Sequence, residues 1–328
     1  MWGWCTVFET GFFKPAANNP NMEKIRITFR AMACDNIIEL YALSATLADE
    51  AIASAVREVK RIQAKYSRYH EDSVVSRINR ASGKSPVDID AETAQLLAFA
   101  DVCHQQSGGL FDITAGILRR AWNFKAAQPP SREFISPLLP LIGWQLVVRS
   151  AGQVYLSRPG MEIDFGGFGK EYAADRAAAV LLSYGLPHAF VSLGGDIVVT
   201  GPHANGEPWH LGIRHPRKEG TVIATLPITS GAVATSGDYE RFIEFEGRRY
   251  SHILDPRTGE SVEGFQSVTA FAPTCLVAGS ITTIAMLKGK RMARQWLDAS
   301  GSQYLAVDAA ARVFSNQCFT ATTCRPAN

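Results

Sequence analysis

Five short segments of this chain gather carboxylate, hydroxyl, imidazole and ammonium groups at bends of the backbone. The most pointed is Asp164-Phe-Gly-Gly-Phe-Gly-Lys170, at an expected strand-to-helix junction. Glycines there let a ligand approach the main chain, and the first N–H groups of the helix face outward with a partial positive charge. Lys170, in the first turn, adds a full charge suited to phosphate, and Asp164 can accept from a hydroxyl or a ring N–H. The segment is not a Walker loop, because glutamate follows Lys170 where serine or threonine is needed. It is not a dinucleotide fingerprint either, because Tyr172 stands at the third glycine position.

The other four are Gly108-Gly-Leu-Phe-Asp112, Leu193-Gly-Gly-Asp196, Thr235-Ser-Gly-Asp-Tyr-Glu-Arg241 and His252-Ile-Leu-Asp-Pro-Arg-Thr-Gly259. Singly, each reads as a plain turn, since glycine, aspartate, serine and proline are turn residues. Together they supply hard oxygen donors in loops, which suit Mg²⁺, and Mg²⁺ commonly works on a phosphate-bearing substrate.

The elements that must hold these segments can be read from periodicity. Lys24 to Met32 and Asn36 to Leu43 alternate as two strands. Ile52, Val56, Val59, Ile62 and Tyr66 mark one face of a long helix. Asp72 or Ser73 caps a short helix to Asn79, Asp90 to Ser107 forms another, and Thr114 to Phe124 a third. Short strands follow at Gln145 to Val148, Gln153 to Leu156 and Met161 to Phe165, then an alanine-rich helix to about Tyr184. Beyond it come strands at His188 to Leu193, Ile197 to Thr200, Trp209 to Arg214, Val222 to Leu226, Ala232 to Thr235, Phe242 to Glu246, Arg249 to Leu254 and Ser267 to Ala272. Helices at Leu276 to Leu287 and Met292 to Ala299 and a strand at Tyr304 to Val307 close the pattern. Helices and antiparallel strands in mixed order predict an α+β fold with helices covering the sheet.

Composition bounds the partners. The chain has 328 residues, 46% hydrophobic and 20% charged, as in ordinary globular proteins. Thirty-three basic against 31 acidic residues leave +2, too even for a nucleic-acid partner. No apolar run reaches the length of a membrane span. Cys5, Cys34, Cys103, Cys275, Cys318 and Cys324 lie far apart with no CxxC pair, which fits neither a zinc site nor a disulfide framework. Residues 1–22 read as a loose leader without a basic n-region, so no signal peptide is visible and the sequence reads as cytoplasmic. Residues 23–315 read as a single domain and 316–328 as a tail.

In combination, six segments resemble the FAD:protein FMN transferases of the ApbE type. They are Ser67-Arg-Tyr-His-Glu-Asp-Ser-Val-Val-Ser-Arg-Ile-Asn79, Gly109-Leu-Phe-Asp-Ile-Thr114, Ile163 to Asp175, Ser192-Leu-Gly-Gly-Asp196, Ala234 to Arg241 and Tyr250 to Gly259. The resemblance implies an α+β fold with a T-fold-like duplicated core of mixed and antiparallel sheets. It implies FAD as substrate, Mg²⁺ as cofactor, and transfer of FMN to a threonine or serine hydroxyl of an acceptor protein with release of AMP. It places Met32, Tyr69, Leu110, Phe111, Asp112, Asp164, Lys170, His252 and Ile253 against FAD, and the main-chain carbonyl of Gly167 on the metal. The family is often periplasmic or membrane-anchored. Lys170 would stabilise charge, with His252 or Asp255 taking the acceptor proton.

One position departs from the resemblance. An acidic metal ligand followed four residues later by threonine is expected on the late helix; Thr283 is present, with Thr282 beside it, but Gly279 replaces the acid. Positions four apart share a helix face, so the pair would meet one ion. Restoring aspartate at 279 is therefore expected to strengthen the site. The glycine also fits an alternative in which the chain binds FAD without transferring FMN, or hydrolyses it.

Overall fold

The computed structural model describes residues 21–316 and 320–321, so Cys5, Cys318, Cys324 and nearly all of the expected leader lie outside the described residues. Strands β1 (Glu23–Ala31) and β2 (Cys34–Ala42) form a hairpin closed by Met32 and Ala33, with φ of 53° and 63°. Positive φ at both central residues is what a two-residue turn needs to match the strand twist. Helix α1 (Ala45–Tyr66) starts at Ser44, whose hydroxyl accepts from the Leu47 N–H, and it buries Ile52, Val59, Ile62 and Tyr66. Ser73 caps α2 (Val74–Arg80) and Asp90 caps α3 (Ala91–Ser107), which Gly108 ends in the left-handed conformation. A two-residue β3 (Val87–Asp88) lies between those helices, and a single turn, α4 (Arg132–Ile135), follows later; the sequence signals neither.

Two segments differ from their expected form. Ile113–Arg120 winds as a 3₁₀ helix rather than an α-helix reaching Phe124. Its β-branched start and Gly116 make weak helix, and Gly116 runs so close to Asp164 that a Cβ there would lie 2.4 Å from the Asp164 Cβ. Met161 to Phe165 joins no sheet. The Asn79 side chain brackets Ile163 with two hydrogen bonds of 2.8 and 3.0 Å, and the Asp164 N–H donates to the Ile113 carbonyl. Side-chain amides thus replace ladder partners.

The remaining elements are β4 (Val147–Ser150), β5 (Gln153–Leu156), α5 (Gly169–Ser183), β6 (Ala189–Leu193), β7 (Asp196–Val199), β8 (Trp209–Arg214) and β9 (Val222–Ile228). Then come β10 (Gly231–Gly237), β11 (Phe242–Phe245), β12 (Arg248–Ser251), β13 (Phe265–Ala272), α6 (Cys275–Ala299), β14 (Gln303–Asp308), β15 (Val313–Ser315) and β16 (Thr320–Ala321). Gly289, at φ 62° and ψ 176°, breaks α6 where the sequence places the gap between two helices. Eight strands make one sheet in the order β1-β2-β6-β7-β10-β13-β14-β15, with antiparallel neighbours throughout. The expected α+β class holds.

Helices α1, α5 and α6 cover one face of this sheet over Ile38, Leu40, Val191, Val268 and Ala270. The β8–β9 hairpin covers part of the other, packing Trp209, Leu211 and Leu226 against Val199 and Val233. Helix α5 is fixed by charge as well as by packing. Glu92, at the start of α3, takes Arg61 at 2.6 Å and Lys65 at 2.5 Å from α1, and the Tyr172 hydroxyl of α5 at 2.8 Å. Arg61 above all, and then Lys65, hold the Glu92 carboxyl below its ordinary value of 4.5. A carboxylate whose folded pKa is depressed contributes stability above its unfolded pKa and loses it as pH falls toward the folded one. Glu92→Gln is therefore expected to cost about 1–2 kcal/mol in urea unfolding at pH 7. That difference should shrink as pH is lowered below 4.5; a difference that does not vary with pH would remove Glu92 as an electrostatic tie.

Candidate active site

Helix α5 begins at Gly169 after Phe168, and no side chain caps its first turn. The Gly169 N–H bonds the Phe165 carbonyl at 2.7 Å, and the turn that follows it remains a place for an anion. The approach to it is built on aromatic rings. Phe111 is buried and stacks on Phe168 with centroids 6.2 Å apart. A Cβ at Gly167 would lie 3.3 Å from the Phe111 ring, so the backbone passes directly over it and only glycine fits without displacement. Phe111 and the buried Leu110 are thus floor rather than open stacking surface.

Asp164 lies at the entrance. One carboxylate oxygen accepts the Gly166 N–H at 2.9 Å, and the other pairs with Arg68. The Arg68 guanidinium sits 4.9 Å over the Tyr69 ring and donates to the Tyr69 hydroxyl at 2.8 Å. Tyr69 itself is 78% exposed, a free aromatic face of the kind that stacks a flat ring. Arg68 was not singled out from sequence, although it sits inside the Ser67-Arg-Tyr segment. Asp112 is occupied locally: it accepts from the Thr114 N–H and hydroxyl at 2.8 and 2.6 Å, and from the Trp144 N–H at 2.9 Å. Met32, half-buried in the β1–β2 turn, donates its N–H to Gln63 at 2.5 Å.

Lys170 reaches the opposite side, where its ammonium lies 2.6 Å from Asp196. Asp196 arrives on the β6–β7 bend, whose Gly194 and Gly195 take φ of 57° and 97°. Its other oxygen accepts the Thr235 N–H at 3.3 Å. Burial opposes the Lys170 charge, but the Asp196 and Glu171 carboxylates outweigh it and hold the ammonium above its ordinary pKa. Glu171, next along α5, is buried, and desolvation followed by the Asp196 charge pushes its carboxyl up.

Helix α6 contributes hydroxyls. Ser236 of β10 meets Thr282 at 2.9 Å and Thr283 at 3.1 Å, and the Thr282 hydroxyl donates to the Gly279 carbonyl at 3.0 Å. Ser236, Asp196 and Glu171 were missed as individual site residues, though the first two fall in segments marked by their chemistry. Among the described residues no three His, Cys, Asp or Glu side chains converge as a metal cluster. The hydroxyls of Ser236 and of Thr282 and Thr283, on the helix whose Gly279 abuts the Glu171 carboxyl, are donors of the kind that a hard cation keeping several waters takes.

His252 follows β12, donating its N–H to the Arg241 carbonyl at 2.9 Å, with the Phe124 ring edge-on at 6.5 Å. Its imidazole is exposed at one side, yet the surrounding chain desolvates it, and the Arg241 cation adds to this. Both hold its pKa below the ordinary 6.5, so it is neutral near pH 7. Ile253 beside it is buried. Asp255 is held by the Arg257 guanidinium at 3.0 and 2.6 Å, and its pKa is lowered against the effect of burial. Of the two expected proton acceptors, His252 is held only by the Arg241 backbone, whereas Asp255 is paired with the Arg257 guanidinium in its turn.

A helix start with an ammonium beside it, set on a helix-covered antiparallel sheet, is the arrangement that anion-binding sites use. Comparisons with known proteins give the family. The ApbE family profile matches residues 25–307, and the chain belongs to that family. It is similar to an FAD:protein FMN transferase of Escherichia coli (strain K12), 32% identical over 245 residues covering 72% of this chain and 70% of the relative. It is also similar to one of Chlamydia pneumoniae, 31% identical over 269 residues covering 78% and 83%. The crystal structure of the ApbE protein of Thermotoga maritima superposes with a TM-score of 0.82 at 32% identity, covering 90% of this chain and 97% of that one.

The Lys170–Asp196 pair carries a testable consequence. Lys170→Met strands a carboxylate whose side chain is 5% exposed, and is expected to cost about 3 kcal/mol, the low end for a buried pair because the lysine is 34% exposed. Adding Asp196→Asn should recover most of that stability in urea unfolding. If the double variant is no more stable than Lys170→Met alone, the two charges are not coupled.

Proposed function

We propose that this chain transfers FMN from FAD to a threonine or serine hydroxyl of an acceptor protein, with Mg²⁺ as cofactor and AMP released. The observation that carries this reading is that the α5 start reaches Asp196 through Lys170 and Gly279 through Glu171, while Thr282 and Thr283 of that same stretch of α6 share Ser236, in a chain whose relatives are FAD:protein FMN transferases. The diphosphate of FAD would lie at the α5 N-terminus over Gly167, where main-chain N–H groups and the Lys170 ammonium offset its charge. Tyr69 and the Asp164–Arg68 pair would orient a ring of FAD at the entrance, with Leu110, Phe111, Asp112, Ile253 and Met32 shaping the wall. Gly167, Thr282 and Thr283 would hold Mg²⁺, which when bound supplies charge neutralisation on the phosphates.

The step is a displacement at phosphorus. The acceptor oxygen forms a bond to the FMN phosphorus, the bond to the bridging oxygen breaks, and AMP leaves with that electron pair. The acceptor proton goes to neutral His252, which is better placed for it than Asp255, a carboxylate already paired with Arg257. Lys170 and the helix N-terminus stabilise the charge that builds on the phosphate oxygens, the dominant contribution in phosphoryl transfer.

Purified protein incubated with FAD, Mg²⁺ and a threonine-bearing acceptor polypeptide tests the reading. The acceptor should gain the mass of FMN as AMP appears in equal amount. AMP without a heavier acceptor would make the chain a hydrolase, and bound FAD without AMP would make it a flavin-binding protein. Because His252 acts as the neutral base, the acid limb of kcat/KM against pH should fall below the ordinary histidine value of 6.5. A limb at or above 6.5 would exclude His252 as the proton acceptor.

A further inference from the structure

Glu171 and Gly279 occupy one space. Helix α5 presents Glu171 to α6, and a Cβ built on Gly279 would lie 2.7 Å from the Glu171 Cγ and 2.8 Å from its Oε1. No side chain fits at 279 while Glu171 is where it is. Glu171 is only 8% exposed, and its Oε2 is buried with no hydrogen-bond partner. A buried carboxylate oxygen without a donor is costly, and the nearest cation, Lys170, is already spent on Asp196. Such an oxygen takes either a proton or a cation.

The surroundings show what kind. Positions 279 and 283 lie one turn apart on one face of α6, and the Glu171 carboxyl stands where a side chain from 279 would start. Thr283 and Thr282 share Ser236 at 3.1 and 2.9 Å, so neutral hydroxyl oxygens already line that face. A carboxylate and hydroxyls make a donor set for a hard divalent cation, and the nearby Cys275 thiol is kept protonated by burial and by the Asp196 and Glu171 carboxyls.

We propose that Glu171, reaching across from α5, supplies the anionic oxygen of the Mg²⁺ site and so replaces the carboxylate that α6 lacks at Gly279. The assignment rests on the Mg²⁺-dependent reading above and names the residue that completes its metal site. It also reverses the expectation that aspartate at 279 strengthens the site. In the native chain Gly279→Asp drives its Cβ into Glu171 and places another acid beside two buried ones. Glycine at 279 is the room that the glutamate needs.

Titration of the full protein with Mn²⁺ in the presence of FAD, read by the free-Mn²⁺ electron paramagnetic resonance signal, tests this without requiring turnover. Glu171→Gln should raise the Mn²⁺ dissociation constant about tenfold or more. Gly279→Asp alone should lower the melting temperature without tightening Mn²⁺. The exchange E171G with G279D, which moves the carboxylate from α5 to α6, should bring Mn²⁺ affinity to within about threefold of wild type, far above E171G alone. Wild-type Mn²⁺ affinity in Glu171→Gln, or an exchange variant that binds no better than E171G, would overturn the assignment while leaving the metal-dependent reading intact. A wild-type protein that binds no Mn²⁺ in the presence of FAD would overturn the Mg²⁺ reading itself, and this assignment with it.

Discussion

Two carboxylates, Glu171 and Asp196, are buried around one lysine, and much of the structure serves to make that tolerable. A charge leaves water only if something replaces the lost hydration. For Asp196 the replacement is the Lys170 ammonium at 2.6 Å and the Thr235 N–H. For Glu171 it is incomplete, since one oxygen has no donor. The glycines of the β6–β7 bend and Gly279 of α6 both make room around this cluster. A buried carboxyl pushed up to about 8 keeps a proton that a cation can displace, and the cation in turn suits a diphosphate.

The frame that holds the cluster is electrostatic on one side and aromatic on the other. Glu92 and Glu58 link α1 and α3 to Tyr172 and Arg176 of α5, fixing the helix whose first turn carries Lys170 and Glu171. Phe111 and Phe168 form the floor beneath Gly167, so that the backbone of the helix start is both exposed to a ligand and prevented from sinking. Trp122 donates to the Gly259 carbonyl at 2.8 Å, fastening the segment that presents His252 and Asp255 onto the 3₁₀ helix. Positioning therefore comes from three separate layers of the fold, and the chemistry lies where they meet.

Much of this was legible in the sequence because local rules decide it. Ser73, one of two expected caps, caps α2, the helix expected from Asp90 starts there with Asp90 as its cap, the i to i+4 pattern through Ile52 to Tyr66 faces the core, and Gly289 breaks α6 in the expected gap. What was not legible depends on contacts far apart in the chain. Met161 to Phe165 has the pattern of a strand, but Asn79 takes up its hydrogen bonds, a partner 84 residues away. Asp112 was expected against FAD, and the Trp144 N–H, 32 residues on, also bonds to it. Gly279 read as a missing acid because the glutamate that fills its place lies on another helix, more than a hundred residues upstream. A pattern read along one helix cannot register a carboxylate supplied by its neighbour.

Anomalous diffraction from crystals grown with Mn²⁺ and FAD would locate the cation directly against these groups. The expected result is a single strong peak between the start of α5 and the Thr282–Thr283 turn of α6, about 2.0–2.3 Å from a Glu171 carboxylate oxygen and bridged to the diphosphate. A peak that sits on the diphosphate but away from Glu171, or one outside this junction, would contradict a metal site built jointly by the two helices.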